Sequence, residues 1–191
     1  MSLATLKRFT IAEYHRLIEI GFFREDDRVE LIRGQLIQMA AKGRAHETCN
    51  RKLLRVLPRL LSDRATLQNQ SPITLPNDGE PEPDFAILRN RADDYLSAHP
   101  NPEDVLLVIE ISDSSLAYDQ DTKLKAYAEA NIQNYWIFNL IEMVLEMYGE
   151  PYRKSESEFV YRVKRLASAN ESVTLPHFSE LQLDLSIVFP T

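Results

Sequence analysis

Glu110 lies in the middle of the apolar, β-branched run Val105–Ser112 (VLLVIEIS), and Pro83-Asp84 stands twenty-six residues upstream of it. Burying an ionised carboxyl group is costly unless something neutralises it. Two such groups on neighbouring strands repel, which raises a pKa or calls for a shared cation. A hard divalent metal meets both needs, because oxygen coordination and charge compensation arrive together. The pairing therefore predicts metal-assisted hydrolysis.

The elements around these residues set the geometry. Along a strand through 105–112, side chains alternate, so Val108, Glu110 and Ser112 share a face. Asp84 directly follows a proline, which suits a strand start or an edge. If the two strands pair, both carboxylates come within reach of one ion. A helix from about 119 to 130 follows, with Asp119 placed to cap it and Lys123 one turn inside. Tyr127 shares the Lys123 face and Lys125 points elsewhere. A helix starting just past the strand can return Lys123 toward Glu110 and Ser112.

The rest of the chain reads as alternating helices and strands. Thr10 and Glu13 form a capping box that opens a helix to about Gly21. Two short alternating runs, 29–32 and 35–39, join through Arg33-Gly34 as a hairpin, with Glu30 in the first. Residues 46–61 predict a second helix, with Leu53, Leu54, Leu57, Leu60 and Leu61 on one face and Arg51, Arg55 and Arg59 as a stripe. Pro58 is expected to kink or shorten it. Strands are expected at 71–75, 84–88 and 135–140, a short helix at 91–97, and a hairpin from 144–148 and 159–166. One α/β domain over 1–191, a central mixed β-sheet flanked by α-helices, is the simplest architecture for this order.

A 44% hydrophobic and 27% charged composition is that of an ordinary globular protein. The N-terminus lacks the apolar core of a signal peptide and no run is long enough to span a bilayer, so a cytoplasmic location without membrane is expected. A single cysteine, Cys49, excludes an internal disulfide and suits helix packing. The net charge of −7 argues against indiscriminate nucleic-acid binding. However, residues 41–65 carry seven Lys or Arg against two acids, which is compatible with a phosphate-bearing substrate.

Taken in order, the segments Glu30-Leu31-Ile32-Arg33-Gly34, His46, Pro83-Asp84, Val108-Ile109-Glu110-Ile111-Ser112, Asp119, Lys123 and Tyr127, and Tyr135-Trp136-Ile137 resemble the Uma-type restriction endonuclease family of the PD-(D/E)XK nuclease superfamily. That resemblance implies a restriction endonuclease-like fold. It also implies a Mg²⁺-dependent endonuclease, with Mn²⁺ as a substitute, acting on DNA. Asp84 and Glu110 would hold the metal, helped by the Ile111 backbone carbonyl and water. Glu30 would be the acidic residue of the first core element, positioning a second metal or a water. Lys123 would orient the attacking water or stabilise the pentacovalent transition state, replacing the lysine that the superfamily carries where this chain has Ser112. Asn131 replaces a usual glycine at the helix end, which asparagine tolerates. A homodimer follows by analogy, since cutting two strands needs two sites.

Each residue also has a plainer reading. Asp84 alone suits a turn, Glu110 a buried ion pair, Glu30 a solvent-facing edge and Lys123 a surface helix. His46 suits a helix start, Asp119 a cap, and Tyr135 and Trp136 the core. The arginine stripe suits a solvated face, and only a nuclease reading turns it into phosphate contacts. The competing functional expectation is a catalytically silent nuclease-fold protein that binds nucleic acid or a protein partner. A nuclease that is silent without its partner is a third.

Overall fold

The computed structural model describes residues 5–24, 27–156 and 158–190. Helix α1 (Ile11–Glu19) opens on the expected capping box: Thr10 Oγ1 accepts from Glu13 N–H, and Glu13 returns to Thr10 N–H at 2.9 Å. Strands β1 (Val29–Ile32) and β2 (Gln35–Gln38) form the expected hairpin, turning at Arg33 and Gly34, both with positive φ. A Cβ at Gly34 would fall 2.9 Å from the Phe9 carbonyl oxygen, so the turn needs glycine for space as well as conformation.

Helix α2 (Arg44–Leu61) runs three residues past Pro58, so the proline does not shorten it as the sequence suggests. The reason is packing. Leu53, Leu57 and Leu61 are all buried, and losing the last turn would expose Leu61, worth about 1.5–3 kcal/mol.

Six strands make the central sheet in the order β3 (Thr66–Asn69), β4 (Phe85–Leu88), β5 (Val105–Ser112), β6 (Asn134–Asn139), β7 (Val144–Arg153) and β8 (Phe159–Ser168). Only the β5–β6 pair is parallel, so the sheet is mixed, as expected. The first strand is 66–69 rather than 71–75. Residues 71–75 instead make scattered bonds, Ile73 N–H to the Pro81 carbonyl and Thr74 N–H to that of Pro100, because Pro72 has no N–H to offer a ladder. The expected helix at 91–97 is a run of turns in which Asp94 and Tyr95 have positive φ and the Asp93 carboxylate accepts from Ser97 N–H.

Every residue of β5 is buried. Leu107, Ile109 and Ile111 join Leu53, Leu57 and Leu61 of α2 in one core, while Val108 joins Tyr127, Tyr135 and Ile137 in the other. The connection from β5 to β6 is helix α3, residues 116–129, which covers that second face. It runs α-helical over Leu116–Tyr118, π-helical over Asp119–Lys123 and α-helical again over Leu124–Glu129. Asp119 is therefore inside the helix and not its cap. Asn131 ends it at φ 59°, with Ile132 N–H donating to the Tyr127 carbonyl, which confirms the expected left-handed stop. A hairpin not anticipated from sequence, β9 (Ser172–Leu175) with β10 (Phe178–Asp184), adds Leu175, Leu181 and Leu183 to the α2 core. Among the described residues, no helix is long and apolar enough to cross a membrane.

Candidate active site

The antiparallel register of β4 and β5, with Phe85 opposite Ile109, brings Asp84 next to Glu110 one step further along. Asp84 is 6% exposed, and its two oxygens are used differently. Oδ2 accepts from Ile111 N–H and from His46 Nε2, each at 2.9 Å. Oδ1 accepts only long contacts, from Lys42 Nζ and Gln70 Nε2, both at 3.3 Å. Burial raises the Asp84 pKa, but His46, Lys42 and the Ile111 N–H outweigh it and hold the carboxyl below its usual value. His46 Nδ1 is buried without a partner among the described residues, which favours the tautomer that donates Nε2–H to Asp84.

Glu110 is 3% exposed, and its Oε1 accepts from Lys123 Nζ at 2.9 Å and from Tyr127 Oη at 2.8 Å. Its Oε2 takes no hydrogen bond from any described residue. Burial pushes the Glu110 carboxyl up to about 8, against the pull of Lys123. Lys123 is completely buried, and its Nζ also lies 3.4 Å from Glu30 Oε2. Burial disfavours its charge, yet Glu110, Glu30 and Asp119 together hold it protonated well above the ordinary range. Glu30 is equally sealed: Tyr118 Oη and Glu82 N–H donate to it at 3.0 and 3.1 Å.

Asp119 accepts from the hydroxyls of Ser112 at 2.7 Å and Ser115 at 2.6 Å, which fixes the start of the π-helical turn onto β5. Burial raises its pKa, with Lys123 opposing.

A cavity of about 40 Å³ is lined by Asp84, Glu110, Ile111 and Asp119, together with His46 and Lys42. Glu82, Asp113, Arg28, Ser114 and Ser115 complete its polar wall, and Met39, Ala40 and Ala41 also line it. The predicted carboxylates, Ile111, Asp119 and His46 thus share one site. Glu30, Lys123 and Tyr127 stand behind Glu110 and do not line it, and Ser112 lies beneath Asp119. Arg51, Arg55 and Arg59 run along the exposed face of α2, away from the cavity, with Arg51 3.6 Å from Glu47. Lys42, Gln70, Glu82 and Asp113 were not singled out by sequence. Glu82 alone left a usable signal, the alternation Glu80-Pro-Glu-Pro-Asp84.

A divalent ion fits this donor set in kind. Asp84 Oδ1 is only loosely held, Glu110 Oε2 has no donor among the described residues, and the wall offers carboxylate oxygens and no thiol, the chemistry of a hard cation. Among the described residues, no three His, Cys, Asp or Glu side chains come together as a ready-made ligand set, so two carboxylates, a carbonyl and water would have to suffice.

Comparison with known proteins agrees with this architecture. A solved structure titled as a putative nuclease belonging to DUF820, from Anabaena variabilis ATCC 29413, superposes with a TM-score of 0.68 at 17% identity. The match covers 95% of this chain and 97% of that one, and it establishes a shared fold. No curated protein matches the chain. The family model Uma2, described as "Putative restriction endonuclease", matches residues 11–186, and on that match the chain belongs to the Uma2 family.

Proposed function

We propose that the protein is a divalent-metal-dependent phosphodiesterase that cuts DNA, with Mg²⁺ as the working ion. The observation that carries this reading is the convergence of Asp84, Glu110 and Ile111 on one cavity at the end of two paired strands. Asp84 and Glu110 would hold the ion, with the Ile111 carbonyl and water completing its shell. When bound, such an ion lowers the pKa of a water and offsets charge on the scissile phosphate.

The chain's own residues do the positioning. His46 and the Ile111 N–H fix Asp84 through Oδ2 and leave Oδ1 with only two long contacts. Lys123 and Tyr127 fix Glu110 through Oε1 in the same way. Glu30 holds Lys123, so its role is to keep that ammonium in place beneath Glu110. Hydrolysis then forms one bond from water oxygen to phosphorus and breaks one to the leaving ester oxygen. The water's proton leaves to solvent and the leaving oxygen takes one up. A single domain acting in the cytoplasm, paired as a homodimer for two-strand cutting, completes the proposal.

The test is cleavage of plasmid and linear DNA with Mg²⁺ or Mn²⁺ by wild type, Asp84→Ala and Glu110→Ala. Loss in both variants is expected, and retained cleavage in both refutes the site. One observation favours the silent alternative: Lys42 already sits on Asp84 Oδ1. In that case Mn²⁺ calorimetry on wild type gives no heat that Glu110→Ala abolishes.

A further inference from the structure

We propose that Lys42, rather than Lys123, is the ammonium group that contacts the scissile phosphate, an assignment that rests on the phosphodiesterase reading above. Lys42 lies in the connection between β2 and α2 and lines the cavity beside Asp84 and Glu110. Its Nζ is 3.3 Å from Asp84 Oδ1, long for a charge-assisted bond, and its side chain keeps 14% of its exposure. Lys123 differs in each respect. Its side chain is 1% exposed, its Nζ is shared by two buried carboxylates, and it forms no part of the cavity wall.

A phosphate entering the cavity reaches Lys42 by exchanging one long contact for a new one. To reach Lys123 it would have to pass Glu110 and strip that carboxylate of its cation. The next residue, Gly43, also lines the cavity and is the N-cap of α2. It supplies no side-chain cap, so the first-turn N–H groups of an 18-residue helix add positive potential to the wall that Lys42 occupies. A Cβ at position 43 would lie 3.1 Å from Asp113 Oδ2, so glycine lets the Asp113 carboxylate of the β5–α3 connection sit close to this loop. As the water oxygen bonds to phosphorus and the leaving ester bond breaks, negative charge grows on the non-bridging oxygens. The Lys42 ammonium stabilises that charge, and the step asks no proton transfer of it.

The experiment compares wild type, Lys42→Met, Lys42→Arg and Lys123→Met. It reads single-turnover DNA cleavage with Mg²⁺, binding of a fluorescein-labelled DNA duplex with Ca²⁺, and thermal unfolding. Lys42→Met should lose cleavage by roughly 100–1,000-fold and weaken duplex binding while unfolding like wild type, and Lys42→Arg should recover part of both. Lys123→Met should unfold early instead. Wild-type cleavage and binding by Lys42→Met overturn the assignment. If wild type binds the duplex without cutting it, the phosphodiesterase reading fails and binding alone decides Lys42: weakened binding in Lys42→Met upholds the contact, and unchanged binding overturns it. If wild type does neither, both fall.

Discussion

Replacing Lys123 by methionine removes the only charge that faces both Glu110 and Glu30 from within α3. The ammonium is 2.9 Å from one carboxylate and 3.4 Å from the other, and all three groups are at most 3% exposed. At an effective dielectric of about 20, those two contacts are worth about 6 and about 5 kcal/mol. Desolvating three charged groups offsets most of that, so the intact cluster adds little net stability. Breaking it is another matter: once Glu110 is ionised, above about 8, methionine strands two buried carboxylates and costs about 3–5 kcal/mol. For a chain of this length, that lowers the melting temperature by roughly 6–20 °C. The loss depends on pH in a definite direction. The folded Glu110 carboxyl already sits near 8 against an ordinary 4.5, and without Lys123, which lowers it, it rises further. A group raised in the folded state gives stability that is present at low pH and lost as pH rises through the folded value. The variant should therefore be least impaired near pH 4.5 and most impaired above 8. Urea unfolding at both ends of that window measures this. The double variant Lys123→Met/Glu110→Gln should recover about 2 kcal/mol of the single loss. Losses that add within about 0.5 kcal/mol would refute the pairing argument.

Three further outcomes follow from the same geometry. Mn²⁺ affinity should tighten as pH rises toward 8, because binding must displace the proton that burial places on Glu110, and flat calorimetry across that range would exclude Glu110 as a ligand. Tyr127→Phe removes the 2.8 Å donor to Glu110 and should cost about 1–3 kcal/mol in denaturant unfolding; no loss would mean that the bond contributes nothing. Asn131→Ala should cost about 1 kcal/mol because an ordinary side chain is strained at φ 59°, whereas Asn131→Gly should be near neutral, and equal effects would show the turn is not the cause.

What the chain disclosed in advance was local or periodic. The Thr10–Glu13 capping box lies within one turn of sequence, the Gly34 hairpin within four residues, and the burial of β5 is written in its unbroken apolar run. The pair Asp84 and Glu110 was legible because an acid in such a run demands an explanation. The strand at 66–69 was not. Three of its four residues, Thr66, Gln68 and Asn69, are polar, and it is a strand because β4 offers a ladder to its edge. Residues 71–75 looked better by alternation, but the proline within them cannot donate. At the site, the i, i+4, i+8 spacing of Asp119, Lys123 and Tyr127 marked one helix face, but not that Lys123 would be sealed beneath Glu110. Lys42, Gln70 and Asp113 are ordinary loop residues in sequence. Only the approach of separate connections brings Lys42 and Asp113 to one cavity and Gln70 to Asp84.

The π-helical turn at Asp119–Lys123 restricts how the chain can change length. Such a turn accommodates one residue more than an α-helix would, and here both of its ends are fastened to β5: Asp119 to Ser112, Lys123 to Glu110. Inserting a further residue between them would exceed what one widened turn absorbs and turn the Lys123 and Tyr127 side by about 100° relative to Asp119. The two attachments could not both survive. Insertions among descendants of this sequence should thus accumulate in the turns at 89–101, while the five-residue span at 119–123 grows no longer even where its exposed residues vary.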